Sequence, residues 1–246
     1  MGKLNNMKNF KIILFLFIIP FISSCFKDKD SVVTGYVMGT FCKSTNGNEI
    51  YVLSDTTKGA NGAEFKYIFE NEDIFKNIND KSRIYFNFKL IKEQSTFNYL
   101  VECLSFDTIP KREIIDVKED EDDIRQSFQK NPSTLTNLSI SHDFLNIGTK
   151  INYKDKYKHQ FYVLNDEIEQ NKDIKNEITL TLYHNDEEKE ISYYKDSLFY
   201  ISVPIKKLQS LLPQCDTIYI KVVSKLDNMT GKSLRIIYEN KQASNN

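Results

Sequence analysis

The chain has 246 residues, with 33 Lys+Arg against 34 Asp+Glu and a formal charge of −1. That balance gives no electrostatic case for a nucleic-acid partner. With 14 Tyr, 17 Phe and no Trp, and only 8 Gly and 5 Pro, it is too aromatic for a disordered chain and suits a β-rich globular protein.

Lys3, Lys8 and Lys11 form a basic leader, and Ile12 to Ile22 is almost wholly apolar but short for a membrane-spanning helix. The closing Ile22-Ser23-Ser24-Cys25 resembles the lipobox of bacterial lipoproteins; the alternative is an ordinary cleaved signal peptide. The resemblance implies cleavage between Ser24 and Cys25, a lipid on the Cys25 thiol, and acylation of the new amino terminus. Two or more acyl chains such as palmitate hold stably where one does not. The expected address is the outer membrane, lipid-anchored, with surface or periplasmic face undecided. Phe26 stands where aspartate would retain a lipoprotein at the inner membrane. Lys27-Asp28-Lys29-Asp30 resembles the surface-export signal of Bacteroidota lipoproteins, and reads equally as a solvated tether. Residues 1–24 are thus expected to be a signal peptide and 25–31 a tether.

Residues 32–108 read as one small β domain. Val32–Val37, Glu49–Leu53, Lys66–Phe69, Arg83–Ile91 and Phe97–Phe106 carry short strand patterns, the last two forming a hairpin. Five such strands suit a barrel of the OB type. Cys42, Cys103 and Cys215 remain after Cys25, an odd number for an oxidising compartment. A Cys42–Cys103 bridge needs neighbouring strands; otherwise Cys103 fills a core position. Without a CxxC pair, thioredoxin-type chemistry has no support.

Lys118-Glu119-Asp120-Glu121-Asp122-Asp123 is the sharpest change in composition, a linker or an exposed helical turn, and residues 109–134 read as an acidic linker. A calcium loop would need a glycine at its tight turn and alternating oxygen ligands, which this run lacks, so no metal is expected. Strand patterns resume at Leu138–Ile140, Phe144–Asn152, His159–Val163, Ile178–His184, Leu198–Val203, Thr217–Val223 and Ser233–Tyr238. They predict a β-sandwich over 135–240, with a helical turn at Ile205–Leu212 and a disordered tail at 241–246.

Catalytic chemistry is thinly supplied. His142, His159 and His184 are the only histidines, and none sits in a GxSxG or HExxH setting. His142-Asp143 has the order of a base and its orienting acid but no adjacent nucleophile. No catalytic residue, metal or cofactor is therefore predicted. Tyr153, Tyr157, Tyr193 and Tyr194 are candidates for an exposed sugar platform, although tyrosine more often packs half-buried. Asp55-Thr56-Thr57, Asp107-Thr108-Ile109, Asp196-Ser197-Leu198 and Asp216-Thr217-Ile218 resemble Bacteroidota O-glycosylation sites at Thr56, Thr108, Ser197 and Thr217.

Four segments carry a wider resemblance: Arg83-Ile84-Tyr85-Phe86-Asn87-Phe88, Asp143-Phe144-Leu145-Asn146-Ile147, Leu182-Tyr183-His184-Asn185 before Asp186, and Phe199-Tyr200-Ile201-Ser202-Val203-Pro204. Together with the leader they resemble the NigD-like family of Bacteroidota lipoproteins, with Tyr183 where arginine is usual. The resemblance implies an OB-type domain followed by a β-sandwich, and no catalytic residues. The family name derives from a bacteriocin gene cluster, which points toward peptide toxins or immunity without establishing either role. His184 and Asn185 carry over as a strand-end turn and a contact site. The expected function is a non-enzymatic envelope protein that binds or scaffolds a protein, peptide or glycan; the alternatives are a surface glycan-binding or glycan-processing lipoprotein and a bacteriocin-associated immunity protein.

Overall fold

Arg83–Phe88 sets the pattern of the first domain: Ile84, Phe86 and Phe88 are buried while Asn87 is exposed, the period of a half-buried strand. The structure, a computed structural model, describes residues 32–44, 49–55, 64–128, 131–141, 143–153, 159–186, 195–211, 215–226 and 229–239. The leader 1–24, Ser24 and Cys25 at its end, the tether 25–31 and the tail 241–246 lie outside them. Strands β1 (Thr34–Lys43), β2 (Ile50–Ser54), β3 (Lys66–Phe69), β4 (Arg83–Ser95) and β5 (Asn98–Thr108) close into a barrel of order β1-β2-β3-β5-β4. Only the β3–β5 pair among those assigned a register is parallel, as an OB-type barrel requires. Gly39 permits the closest approach in the wall, since a Cβ there would lie 2.3 Å from the Leu53 carbonyl oxygen. Phe41, Phe69, Phe86, Val52 and Val101 fill the interior.

The second domain is a sandwich. Strands β6 (Ile114–Val117), β7 (Thr134–Ser141), β8 (Phe144–Tyr153), β9 (His159–Asp166), β10 (Glu177–Asp186), β11 (Lys195–Pro204), β12 (Thr217–Leu226) and β13 (Met229–Glu239) make two sheets. One has the order β13-β12-β10-β9-β6 and the other β11-β8-β7. Leu145, Ile147 and Ile201 from the smaller sheet and Leu180, Leu182 and Ile220 from the larger lie in one apolar core. Two short helices complete the domain, α1 (Asp122–Ser127) and α2 (Ile205–Leu211). Barrel and sandwich belong to one compact unit, Gly35–Asn246.

One expectation changes, and one alternative falls away. The stretch 109–134 is not a free linker, because β6 within it pairs in parallel with β9, from Ile114 opposite Val163 to Val117 opposite Asp166. The acidic run is folded down by Arg125 of α1, whose Nε lies 3.0 and 2.9 Å from the two oxygens of buried Asp166. The same guanidinium donates to the carbonyls of Lys118 and Glu119, so the backbone of the charged run caps a buried ion pair. Cys103 takes the core position read for it, without a Cys42–Cys103 bridge: both are free, buried thiols, and burial pushes Cys103 up to about 11. That keeps Cys103 protonated and unreactive.

Candidate functional site

On β4 the inward set includes Ile84 and Phe86, which leaves Arg83 and Tyr85 on the outer face of the barrel. On the smaller sheet, Asn146 lies opposite Ser202 and Gly148 opposite Tyr200, two successive pairs on one face. These two faces meet. Arg83, with a side-chain exposure of 0%, gives Nε to Ser202 Oγ at 3.2 Å and Nη1 to Thr40 Oγ1 at 3.0 Å. Its two terminal nitrogens grip both carboxylate oxygens of Asp55, with Nη1 at 2.7 Å, and Nη2 reaches Asn146 Oδ1 at 2.9 Å. All five N–H donors of the guanidinium are used. The Arg83 guanidinium also lies 4.8 Å from the centre of the Phe144 ring. One turn of the pleat further along β4, Tyr85 stacks on Tyr200 with ring centroids 5.9 Å apart.

Beside this joint opens a cleft of about 650 Å³. The end of β5 supplies Asp107 and Thr108, the strap Ile109–Arg112 crosses between the domains, and His159–Phe161 of β9 and Ser197–Tyr200 of β11 form facing walls. Its size and its mixture of ring faces with a few polar groups are those of a ligand site. Tyr36, 71% exposed, lies 5.8 Å from Tyr85 and extends the tyrosine stack outward. Burial raises the phenols of Tyr85 and Tyr200, so both are neutral donors at ordinary pH.

His184 is corrected from strand-end turn and contact site to buried strand residue. It lies within β10, 2% exposed, and stacks on Phe161 behind the cleft wall at 4.9 Å. Its Nδ1 sits 3.2 Å from the Pro132 carbonyl, which can only accept, so Nδ1 carries the proton. Nε2 then accepts from Nδ1–H of His159 at 2.9 Å, and His159 is the member of the pair that lines the cleft. Burial lowers the His184 pKa, and the neighbouring His159 ring lowers it further. The unfolded histidine titrates near its ordinary 6.5 and the folded one lower, so acid protonates the unfolded chain first. Stability carried by neutral His184 is therefore complete above about pH 6.5 and falls as pH drops through the folded value. Thermal unfolding from pH 7.5 to 5.5 is expected to show that decline, and His184→Gln to flatten it; equal slopes would remove His184 as the cause.

Of the other sequence candidates, Thr108 and Ser197 both line the cleft. Asn185 pairs opposite Gln160, a lining residue, while Thr217 opens β12 outside the lining. Thr56, His142, Tyr157, Tyr193 and Tyr194 lie outside the described residues, as does the side chain of Tyr153. The aromatic cluster that does form, Tyr36, Tyr85 and Tyr200, was missed, as were Arg83 and Arg112. A signal existed: Arg83/Tyr85 and Tyr200/Ser202 are each two residues apart, the spacing that puts a pair on one strand face.

Barrel, polar joint and sandwich define a two-domain class of β protein with its cleft between the domains. The NigD-like C-terminal beta sandwich domain matches residues 113–236, about half of the sequence, and the chain belongs to the NigD-like family. A protein of unknown function from Bacteroides vulgatus has the same fold, with TM-score 0.60 at 18% identity over 85% of this chain and 91% of its own. A NigD-like immunity protein from Bacteroides caccae gives 0.57 at 16% identity over 86% and 98%. A candidate lipoprotein from Bacteroides fragilis gives 0.55 at 11% identity over 84% and 97%. At these identities the likeness is one of fold. No curated protein matches the sequence.

Proposed function

We propose that the chain is a non-enzymatic lipoprotein of the outer membrane that holds a ligand in the cleft between barrel and sandwich. The observation that carries the reading is the cleft of about 650 Å³ built on a joint whose buried guanidinium has every donor used. A joint so fixed presents its walls with little ordering cost on binding. The lipobox-like Ile22-Ser23-Ser24-Cys25 supports the anchor, and among the described residues no helix is long and apolar enough to cross a membrane. A glycan ligand is the second reading, favoured by the ledge of Tyr36, Tyr85 and Tyr200.

A photoreactive residue in place of Leu198 in the cleft wall is expected to give discrete adducts in intact cells. The same residue in place of Ile237, exposed on β13 outside the lining, should not. Equal labelling from both positions would count against the cleft. For the anchor, Cys25→Ser is expected to abolish incorporation of labelled palmitate and to release the chain from the membrane fraction. Membrane retention without label would overturn the lipid assignment.

A further inference from the structure

The smaller sheet has the order β11-β8-β7, so β11 is an edge strand. In an antiparallel pair, successive residues turn their N–H and C=O alternately toward the partner and away from it. Ser202 turns away from β8: its N–H donates to the Pro110 carbonyl at 3.0 Å, and its C=O accepts from Arg112 N–H at 3.0 Å. The chain's own strap therefore lies as a parallel bridge, Lys111 opposite Ser202, on that edge. The β8–β11 register runs unbroken from Lys195 opposite Tyr153 to Pro204 opposite Phe144. Tyr200 and Leu198 consequently turn their N–H and C=O to the same side as Ser202. Upstream of Pro110, however, the chain leaves for the barrel through Thr108 of β5. Among the described residues the edge is occupied at Ser202 and open beside Tyr200 and Leu198, where both residues line the cleft. Leu198 is 47% exposed.

An open edge of this kind is a template for strand addition, in which backbone bonds give affinity and alternate side chains enter flanking pockets. Rings flank the edge within the cleft: Phe161 and Phe199, 6.1 Å apart, on one side, and Tyr85 with Tyr200 on the other. Arg112 adds a charge. Its hydrogen bonds go to the carbonyls of Phe161 at 3.0 Å and Lys111 at 3.2 Å, and among the described residues no carboxylate pairs with it. We propose that the cleft takes an extended acidic peptide, added as a strand to the β11 edge in line with the strap, with Arg112 receiving its carboxylate. This assignment rests on the cleft being the binding site, as proposed above.

The test uses the full chain in detergent micelles, probed with a combinatorial library of short peptides and, in parallel, with a glycan array. Acidic peptides are expected to bind and to slow hydrogen exchange at the amides of Leu198 and Tyr200. Leu198→Pro removes an outward N–H that the sheet does not use, a place where an edge strand tolerates proline. It should weaken peptide binding about tenfold or more, as expected when a backbone bond and edge geometry are lost. Arg112→Gln should erase the preference for acidic over neutral peptides. Peptides that bind without protecting those two amides, or as well to Leu198→Pro, would overturn strand addition. Glycan binding in place of peptide binding, lost in Tyr200→Ala, would overturn the peptide assignment and leave the cleft standing. Ligands that bind with no response at Leu198, Tyr200 or Arg112 would sink the cleft reading itself.

Discussion

Arg83→Met is expected to cost about 3–5 kcal/mol, the range for removing one member of a buried ion pair. For a folded region of this size that lowers the unfolding temperature by roughly 10 °C. The cost is not the loss of one contact. Asp55 would keep its charge in the joint without its cation, and Thr40, Asn146 and Ser202 would each lose a donor. Asn146 retains bonds to Ser141 Oγ at 2.8 Å within the sandwich and to Asp55 Oδ2 at 3.2 Å across the joint, so part of the network survives. The variant should also separate the domains energetically. A single urea transition is expected in the wild type and two in Arg83→Met, followed by tyrosine fluorescence and by amide signals from each domain. Adding Asp55→Leu to Arg83→Met should recover a substantial part of the loss, because a buried pair replaced as a pair leaves no stranded charge. An unchanged midpoint in the single variant would mean that the joint holds without Arg83.

The joint also shows what was legible in the sequence. Most strands were readable because alternation is a local signal: Phe144–Asn152 and Ile178–His184 lie within β8 and β10. β6 was not readable. It has four residues, borders a charge run, and is stabilised by a parallel partner far along the chain. The acidic run looked like a linker because its organising cation, Arg125, answers to Asp166, 41 residues away. His184 looked like a turn residue because Asn185-Asp186 follow it, whereas its ring is fixed by His159 and Pro132. Arg83, Asn146 and Ser202 each stood in a segment that carried the family resemblance, but their meeting depends on the docking of two domains. Local periodicity encodes which face a residue takes; which other face it meets is settled only by tertiary packing. The cleft falls in that second category, since its walls come from β4, β5, β9 and β11.

The interior of the barrel carries the other large effect. Between β3 and β4 the chain makes a 3₁₀ turn, Glu72–Phe75, that delivers Phe75 into the barrel at 0% exposure. Asn71 fixes the entry to this turn: its Nδ2 donates to the Cys103 carbonyl and its Oδ1 accepts the Cys103 N–H, both at 2.9 Å. A side-chain amide thus imitates one more residue of β3 beside β5. Phe75 meets Phe69 at 4.4 Å, Phe106 at 4.9 Å and Phe41 at 5.3 Å between ring centroids. Phe75→Ala would leave those three rings around a void, at an expected cost of about 3–5 kcal/mol; Phe75→Leu should cost less because it fills more of the space. Urea midpoints of the two variants check the order. The background decides where the loss appears. With Arg83 present, the coupled domains share it and the single transition moves as a whole. With Arg83→Met, only the barrel transition should move while the sandwich stays in place. A shift of both transitions in that double variant would show that Arg83 is not the element that couples the two domains.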